Sequence, residues 1–167
     1  MKIQIMGYAG SGKSTFAANL GKIYNIVPTY LDAIHWLPNW KEQEDSQMSK
    51  QVADVMEKDN WIIEGNYSRI CSNRYKECDL LFFFDFNRFT CLLGAIKRYI
   101  MFKGKNRESI GNGCIEKLDW EFIKWILHNG RTKKAKANYL QRLKDCKGQT
   151  IIFKTHRQVN KYLQNLR

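Results

Sequence analysis

Residues 7–15 read GYAGSGKST, and this stretch decides how the rest of the chain is interpreted. It fits the pattern G-x-x-x-x-G-K-[ST], the phosphate-binding P-loop, which needs a strand before it and a helix after it. The apolar run at residues 2–6 predicts that strand, and the spacing of Phe16, Leu20 and Ile23 predicts that helix. The amino end of the chain therefore predicts a strand, an anion-binding loop and a helix, in that order.

The loop predicts nucleotide binding. Its glycines let the backbone close around an anion with N–H groups pointing inward, and the helix adds the positive end of its dipole. Lys13 is expected to reach the β- and γ-phosphates, and the Ser14 hydroxyl is expected to ligate Mg²⁺. The residues predicted to hold the nucleotide are Gly7, Tyr8, Ala9, Gly10, Ser11, Gly12, Lys13, Ser14 and Thr15.

The composition is that of an ordinary globular protein. The chain has 167 residues and a mass of 19.7 kDa, which predicts a single domain over residues 1–167. No apolar run approaches the roughly 20 residues that span a bilayer, so no membrane partner is expected. The P-loop follows so early that no signal peptide is expected. Five cysteines without a C-x-x-C pair predict reduced thiols in a cytoplasmic protein.

The positive charge is concentrated in the second half of the chain. Residues 1–85 hold 9 basic and 11 acidic side chains, whereas residues 86–167 hold 19 and 5. The halves therefore carry −2 and +14, which together give the overall net charge of +12. Such a surface is typical of a solvated helical face, of a lid that binds polyphosphate, or of a surface that binds nucleic acid.

Strand-like and helix-like segments alternate along the chain, which predicts a doubly wound α/β sheet with its ligand at the carboxyl ends of the strands. The strand candidates are residues 2–6, 28–32, 60–64, 79–84 and 149–153. Three later helices are expected, over about residues 87–102, after residue 114 and over about residues 132–145. In the last of these, Arg142 is expected to point largely outward.

The helix at residues 87–102 carries two stripes. The apolar stripe consists of Phe89, Leu92, Leu93, Ile96 and Ile100. The other stripe places two arginines on either side of small residues, in the order Arg88, Cys91, Ala95 and Arg98. Residues 103–114, rich in glycine and basic residues, predict a short mobile lid. The helix after it is expected to bury Leu118, Phe122, Trp125 and Ile126.

Two carboxylates are expected at the edge of the sheet beside the P-loop. Asp32 ends the second predicted strand and could hold Mg²⁺-bound water or accept a proton from an attacking hydroxyl. A turn or helix-cap role for Asp32 stays open. Glu64 ends the third predicted strand and is a candidate for the outer shell of the metal, with a strand-end salt bridge as the alternative.

Phosphoryl transfer requires positive charge around the migrating group, which arginine supplies through a planar fork. Arg69, Arg88, Arg98 and Arg107 are the candidates, because each falls in or just after a loop at the expected ligand edge. An acceptor pocket walled by Trp36, Trp40 and Tyr67 is also expected, with His35 in a structural role. The chain lacks the guanine-recognition motif N-K-x-D or T-K-x-D, which argues against a GTPase.

The loop form G-x-x-G-x-G-K-[ST] resembles that of the P-loop small-molecule kinases, the adenylate and shikimate kinase group. Residues 64–69 (EGNYSR) resemble the D-G-F-P-R of that group, with Glu for Asp and the Arg one place later. Nearly the whole chain is similar to bacterial proteins labelled "DNA topology modulation protein" (FlaR-like), which belong to the same superfamily. The similar segments are residues 7–15, 31–40, 61–67, 113–117 and 121–125.

This resemblance implies a three-layer α/β/α P-loop NTPase fold with a five-stranded parallel sheet in the order 2-3-1-4-5. It also implies ATP and Mg²⁺ as cofactors, and a short lid that carries Arg98 and Arg107. The family label implies a link to DNA topology without naming a mechanism.

Two functions follow from these observations. The first is an ATP-dependent kinase that transfers the γ-phosphoryl group to a small acceptor such as a nucleotide or nucleoside. The second is an ATP-dependent, nucleic-acid-associated regulator, for which the chain offers charge but no helix-turn-helix signature. For the kinase, the predicted catalytic residues are Lys13, Asp32, Arg88, Arg98 and Arg107. The predicted acceptor-binding residues are Asp32, Trp36, Trp40, Glu64, Tyr67 and Arg69, and the predicted metal-binding residues are Ser14, Asp32 and Glu64.

Overall fold

The computed structural model describes residues 1–166. Its strands are β1 (Lys2–Gly7), β2 (Pro28–Tyr30), β3 (Trp36–Leu37), β4 (Lys41–Glu42), β5 (Trp61–Glu64), β6 (Leu80–Phe84) and β7 (Gln149–Phe153). Its α-helices are α1 (Lys13–Tyr24), α2 (Leu31–His35), α3 (Asp45–Met56), α4 (Arg74–Glu77), α5 (Arg88–Phe102), α6 (Trp120–Leu127), α7 (Lys133–Asp145) and α8 (His156–Asn165). Short 3₁₀ turns occupy Pro38–Trp40 and Asn129–Arg131.

Five strands form one parallel sheet in the order β2-β5-β1-β6-β7, while β3 and β4 pair separately as a short antiparallel ribbon. This confirms the predicted sheet and the strand order 2-3-1-4-5. In the register, Ile5 lies beside Glu64 and Gly7 lies beside Phe84. The P-loop therefore leaves the centre of the sheet at its carboxyl edge, between the ends of β5 and β6.

Helices cover both faces of the sheet, because successive side chains of β6 pack against different helices. Phe82 packs on Phe16 of α1 and Tyr162 of α8, with ring centroids 4.9 and 5.3 Å apart. The next residue, Phe83, packs instead on Tyr139 of α7 at 5.0 Å. Because successive side chains of a strand point to opposite faces, α1 and α8 cover one face and α7 the other. The continuous apolar run of β6 is explained by this double coverage.

The second strand is shorter than predicted. The sequence predicts a strand over residues 28–32, but β2 ends at Tyr30, and Leu31 and Asp32 form the first turn of α2. Leu31 is buried and packs against the backbone of Gly65. A Cβ added to Gly65 would lie 2.6 Å from the Leu31 side chain. Asp32 consequently stays at the carboxyl edge of the sheet, but a helical turn presents it.

The apolar stripe of α5 is only partly covered, with Leu92 and Ile96 half-buried. Phe89, Leu93 and Ile100 are each about two-thirds exposed or more, whereas Cys91 and Ala95 are buried. The reason is a backbone contact with the P-loop. A Cβ on Gly94 would lie 2.1 Å from the Gly10 carbonyl oxygen, and one on Gly10 would lie 2.1 Å from the Cys91 oxygen. Only small side chains fit between the helix and the loop, so the larger ones turn outward.

The two helices after the lid also differ in part from the prediction. Ile126 is buried as predicted, but Trp125 is about half exposed, at 52%. Arg142 of α7, predicted to point outward, is instead half-buried and donates to Asp145 Oδ2 at 2.9 Å. Across residues 1–166, no helix combines the length and apolar character needed to cross a membrane.

Candidate active site

The P-loop is held open by its glycines. Gly7, Gly10 and Gly12 have φ of 143°, 78° and 89°, a region that side chains with a Cβ rarely adopt. Inside the loop, Ser11 donates from its Oγ to the Tyr8 carbonyl oxygen at 2.7 Å. Gly12 also caps α1 and has no side chain to satisfy the first N–H groups of that helix. These groups and the helix dipole make the loop suited to an anion.

The start of the loop is fixed to β5 by an amide that the sequence did not single out. Asn66 accepts a hydrogen bond from the Gly7 N–H on Oδ1 and donates from Nδ2 to the Gly7 carbonyl oxygen, both at 3.0 Å. The side chain thus continues the ladder of the sheet for one residue beyond β5. Its only sequence signal is its place directly after Glu64-Gly65.

Lys13, Ser14 and Glu64 meet at the mouth of the loop. The Ser14 hydroxyl donates to Glu64 Oε2 at 3.0 Å, and Lys13 Nζ lies 3.8 Å from Glu64 Oε1. Lys13 also donates to the Tyr8 carbonyl oxygen at 3.1 Å. Burial, together with the nearby charge of Asp32, raises the pKa of Glu64 despite the opposing charge of Lys13. The salt bridge that the sequence left as an alternative for Glu64 is thus present, inside the site.

This raised pKa gives a testable trade-off in the Glu64→Gln variant. Because folding raises the pKa, ionisation of Glu64 opposes folding, and the stabilisation from its protonated form is lost as pH rises through the folded-state value. The melting temperature of Glu64→Gln at neutral pH should therefore exceed that of the parent protein. The difference should vanish below about pH 4.3, the ordinary glutamate value.

Activity should move the opposite way in the same variant. The sequence predicts ATP and Mg²⁺ at this site, and for that activity loss of the carboxylate that contacts Ser14 and Lys13 should lower Mg²⁺-dependent ATP turnover by about 10–100-fold. Melting temperature by calorimetry and the rate of ADP release would be measured on the same preparation. The control is Glu77→Gln, which makes the same change at an exposed glutamate. A variant that melts below the parent at neutral pH would contradict the burial argument.

Asp32 is paired with a tyrosine. The Tyr67 hydroxyl donates to Asp32 Oδ1 at 2.8 Å. Burial and the charge of Asp32 raise the pKa of Tyr67 well above its usual range, so Tyr67 remains a donor at neutral pH. The pair therefore orients the Asp32 carboxylate and leaves its second oxygen to accept a proton or a metal-bound water.

Two of the predicted arginines converge on one glutamate. Arg98 donates from Nε to Glu116 Oε1 at 2.9 Å, and Arg107 donates from Nε to Glu116 Oε2 at 2.5 Å. Glu116 is buried, and both arginines line the same cleft as the P-loop. Arg88 does not join them: it is exposed at the start of α5 and does not line this cleft. The predicted pairing of Arg88 with Arg98 is therefore not formed.

The predicted acceptor wall is formed by aromatic rings. Trp36 lies 5.5 Å from Trp40 and 4.6 Å from His35, measured between ring centroids. Arg69 lies on the same side of the cleft, but Asp45 holds its guanidinium at both Nε and Nη2, at 2.5 and 2.8 Å. Arg69 thus lies at the cleft, but its guanidinium is already hydrogen-bonded to Asp45.

Residues 103–114, the predicted lid, lie against the segment that carries these rings. A Cβ on Gly111 would lie 1.5 Å from the Trp36 carbonyl oxygen, so the two backbones are in close contact. The Cys114 thiol donates to the Leu37 carbonyl oxygen at 3.2 Å, and both Ile110 and Cys114 are buried. The lid predicted at residues 103–114 is therefore packed on the β3 segment in this structure.

Two further arginines that sequence reasoning missed support the loops. Arg74 is fully buried and donates to the carbonyl oxygens of Asn66 and Tyr67 at 2.7 and 3.1 Å. Arg131 stacks on the ring of Tyr8, with its Cζ 3.7 Å from the ring centroid. Arg74 fixes the turn after β5, and Arg131 fixes a P-loop side chain. Neither lies in a recognisable motif, so no sequence signal marks them.

Most of the predicted site residues line one cleft of about 1720 Å³ at the carboxyl edge of the sheet, the position expected for the ligand of a doubly wound fold. Of the predicted site residues, those on the cleft are Ala9, Gly10, Ser11, Gly12, Lys13, Ser14, Thr15, Asp32, Trp36, Trp40, Glu64, Tyr67, Arg69, Arg98 and Arg107. Within residues 1–166, no group of three or more His, Cys, Asp or Glu side chains forms a ready-made metal site.

Comparison with known proteins agrees with this architecture. No protein-family model matches the chain, and no curated protein matches it. Among solved structures, it is similar to the "deoxyadenosine kinase from M.mycoides with bound dATP", with a TM-score of 0.55. The identity is 14%, over 99% of each chain. This likeness supports a P-loop NTPase fold, while the resemblance to FlaR-like proteins stays a prediction.

Proposed function

We propose that the chain is an ATP-dependent phosphotransferase that transfers the γ-phosphoryl group to a hydroxyl group of a small acceptor, with nucleosides as the preferred class. The observation that carries the proposal is the convergence on one cleft of Lys13, Ser14, Asp32 and the Arg98–Arg107 pair. Phosphoryl transfer depends on positioning and on charge stabilisation more than on a covalent nucleophile. Each of these requirements has a candidate residue here.

The residues present fit a triphosphate and its Mg²⁺. The uncapped start of α1 and the glycine-built loop suit phosphate oxygens, and Lys13 supplies a charge. Ser14 would bind the metal directly, with Glu64 and Asp32 positioned to hold its water ligands. Bound Mg²⁺ would neutralise charge on the phosphates during transfer. Among residues 1–166, no cluster of His, Cys, Asp or Glu side chains could hold the metal by itself. Mg²⁺ is commonly held by one or two protein groups together with substrate phosphates and waters.

The charges around the acceptor wall favour a hydroxyl acceptor over a phosphate ester. Arg69, the arginine predicted to bind the acceptor, is already paired with Asp45 through two hydrogen bonds. Asp32 and Glu64 would repel a phosphate dianion, whereas the free oxygen of Asp32 suits the proton of a hydroxyl. The rings of Trp36 and Trp40 offer a face for a flat base. The printed name of a similar solved structure, a deoxyadenosine kinase, is consistent with a nucleoside acceptor.

The test is ADP formation with ATP, Mg²⁺ and a panel of nucleosides, the matching nucleoside monophosphates and hydroxyl-bearing metabolites. We expect nucleosides to raise the rate above background ATP hydrolysis, and expect chelation of Mg²⁺ to abolish that rate. If no acceptor raises it, the kinase proposal is wrong. If the monophosphates are preferred, the proposal of a hydroxyl acceptor is wrong while the kinase proposal stands.

The nucleic-acid hypothesis has only the charge of residues 86–167 in its favour. Binding to duplex DNA that survives physiological salt, measured by gel shift across a salt series, would support it. We do not propose it as the function.

A further inference from the structure

Glu116 lies between the lid and α6, in the segment GCIEK at residues 113–117, and the proposed reaction gives it no role. Its side chain is 2% exposed, and each carboxylate oxygen accepts one hydrogen bond from an arginine. Both arginines, Arg98 and Arg107, use the same atom, Nε. One buried carboxylate therefore holds two guanidinium groups from different elements, the end of α5 and the lid.

This arrangement leaves the terminal nitrogens of both arginines for other acceptors. A guanidinium has five N–H donors, and Glu116 takes only the Nε–H of each. Arg107 gives one further bond, from Nη1 to the Ser109 hydroxyl at 2.7 Å. Arg98 makes no other hydrogen bond within residues 1–166, and its guanidinium lies 5.4 Å from the ring centroid of Phe122. Because both side chains line the cleft, their unused donors are available to an anion there.

Glu116 also allows the two positively charged guanidinium groups to lie close together. Burial and the neighbouring charge of Arg107 lower the pKa of Arg98, which reports their mutual repulsion. The carboxylate offsets that repulsion and reduces the charge of the group from +2 to +1. Its backbone N–H donates to the Lys105 carbonyl oxygen at 3.3 Å, which ties the same residue to the start of the lid.

We propose that Glu116 is a positioning residue that orients the forks of Arg98 and Arg107 toward the transferring phosphoryl group while moderating their attraction for the bound triphosphate. This role rests on the proposed kinase function. It separates two effects of arginine: charge attracts the triphosphate in any orientation, whereas stabilisation of the transition state requires the fork in one orientation.

The Glu116→Gln variant separates the two effects. Glutamine has nearly the same shape, but it removes one negative charge and can accept from only one of the arginines. The net charge of the cleft becomes more positive by one unit. The dissociation constant of the Mg²⁺ complex of a non-hydrolysable ATP analogue should therefore fall by about 3–10-fold. Turnover with the best acceptor should fall by about 10–100-fold, because the forks lose their orientation.

A merely structural role predicts a different result, in which the analogue binds more weakly and the melting temperature falls with it. That result, or unchanged turnover, would overturn the proposal. Glu77→Gln is the matched control, because it makes the same charge change on an exposed glutamate that accepts a bond from Asn73. It should leave both measurements unchanged.

Arg98→Lys provides a second test should Glu116→Gln fail to fold. Lysine keeps the positive charge but lacks the Nε–H that Glu116 accepts and the fork that it orients. We expect the affinity for the analogue to stay within about threefold and turnover to fall by about 10-fold or more. Full turnover in this variant would overturn the proposal. If the parent protein phosphorylates no acceptor, the proposed function fails, yet the binding measurements still decide whether Glu116 moderates attraction for the triphosphate.

Discussion

The Lys13→Met variant should lose about 10²–10³-fold of its phosphoryl-transfer rate and bind ATP much more weakly. Lys13 is largely buried at the mouth of the P-loop, between the Tyr8 carbonyl oxygen at 3.1 Å and Glu64 at 3.8 Å. Methionine keeps the length and apolar stem of the side chain but removes its charge. The loss should therefore come from the phosphates and not from packing. Steady-state ADP release and titration with a fluorescent ATP analogue would measure it.

Lys22→Met is the matched control, because Lys22 lies on the same helix and is exposed. It should match the parent protein in both assays and in melting temperature. A Lys13→Met protein that retains the parent rate would show that the P-loop lysine does not act on the transferred group. The nucleotide site would then have to be placed elsewhere.

The Asp32→Asn variant should lose about 10²–10⁴-fold in turnover with a hydroxyl acceptor, the range typical of a general base. Asparagine keeps the size of the side chain and can still accept the Tyr67 hydroxyl bond, but it cannot take up a proton. The affinity for the ATP analogue should change much less, by about threefold or less, because the phosphates are held by the P-loop. Rates over a range of pH would accompany both measurements.

Two companion variants distinguish the roles of Asp32. Tyr67→Phe removes the orienting hydrogen bond but leaves the base, so its loss should be smaller, about 10-fold. Asp54→Asn makes the same change on an exposed residue of α3 and should have no effect. If Asp32→Asn weakens the Mg²⁺ dependence of ATP binding more than it slows transfer, Asp32 acts in the metal shell and not as the base.

The parts of the fold that sequence predicts here are those encoded locally. Strand β7 is found at residues 149–153 as predicted, and β6 begins one residue later than its predicted range. Strand β6 follows from a short apolar run whose side chains are covered on two faces, whereas β7 lies at the edge of the sheet and buries only Phe153. The P-loop is predictable because one short stretch contains the glycines, the lysine and the hydroxyl that the chemistry needs. The strand order came from family resemblance, because adjacency in a sheet depends on long-range contacts.

The orientation of α5 could not be read from its hydrophobic pattern. Periodicity places Phe89, Leu93 and Ile100 on one face and assumes that the most apolar face is buried. In the structure the close approach of Gly10 and Gly94 sets the rotation of the helix, and a contact between two backbones leaves little trace in a hydrophobicity pattern.

The supporting contacts of the site were also beyond sequence reasoning. Asn66 bonds to a residue 59 positions away, and Glu116 bonds to Arg98, 18 positions away. Nothing in the neighbourhood of either residue specifies those partners. Sequence patterns identify the groups that carry charge or hydroxyls, whereas the residues that orient them become visible only when the chain has folded.

The contact between Gly111 and the Trp36 backbone means that the covering loop and the acceptor wall cannot move independently. Under the proposed function, a displacement that admits ATP beneath Arg107 would also shift the aromatic rings proposed to hold the acceptor. The two ligands should therefore bind cooperatively, and each should tighten the other by the same factor, as thermodynamic linkage demands. An empty acceptor pocket would then leave the triphosphate loosely held, which would limit wasteful hydrolysis between productive cycles.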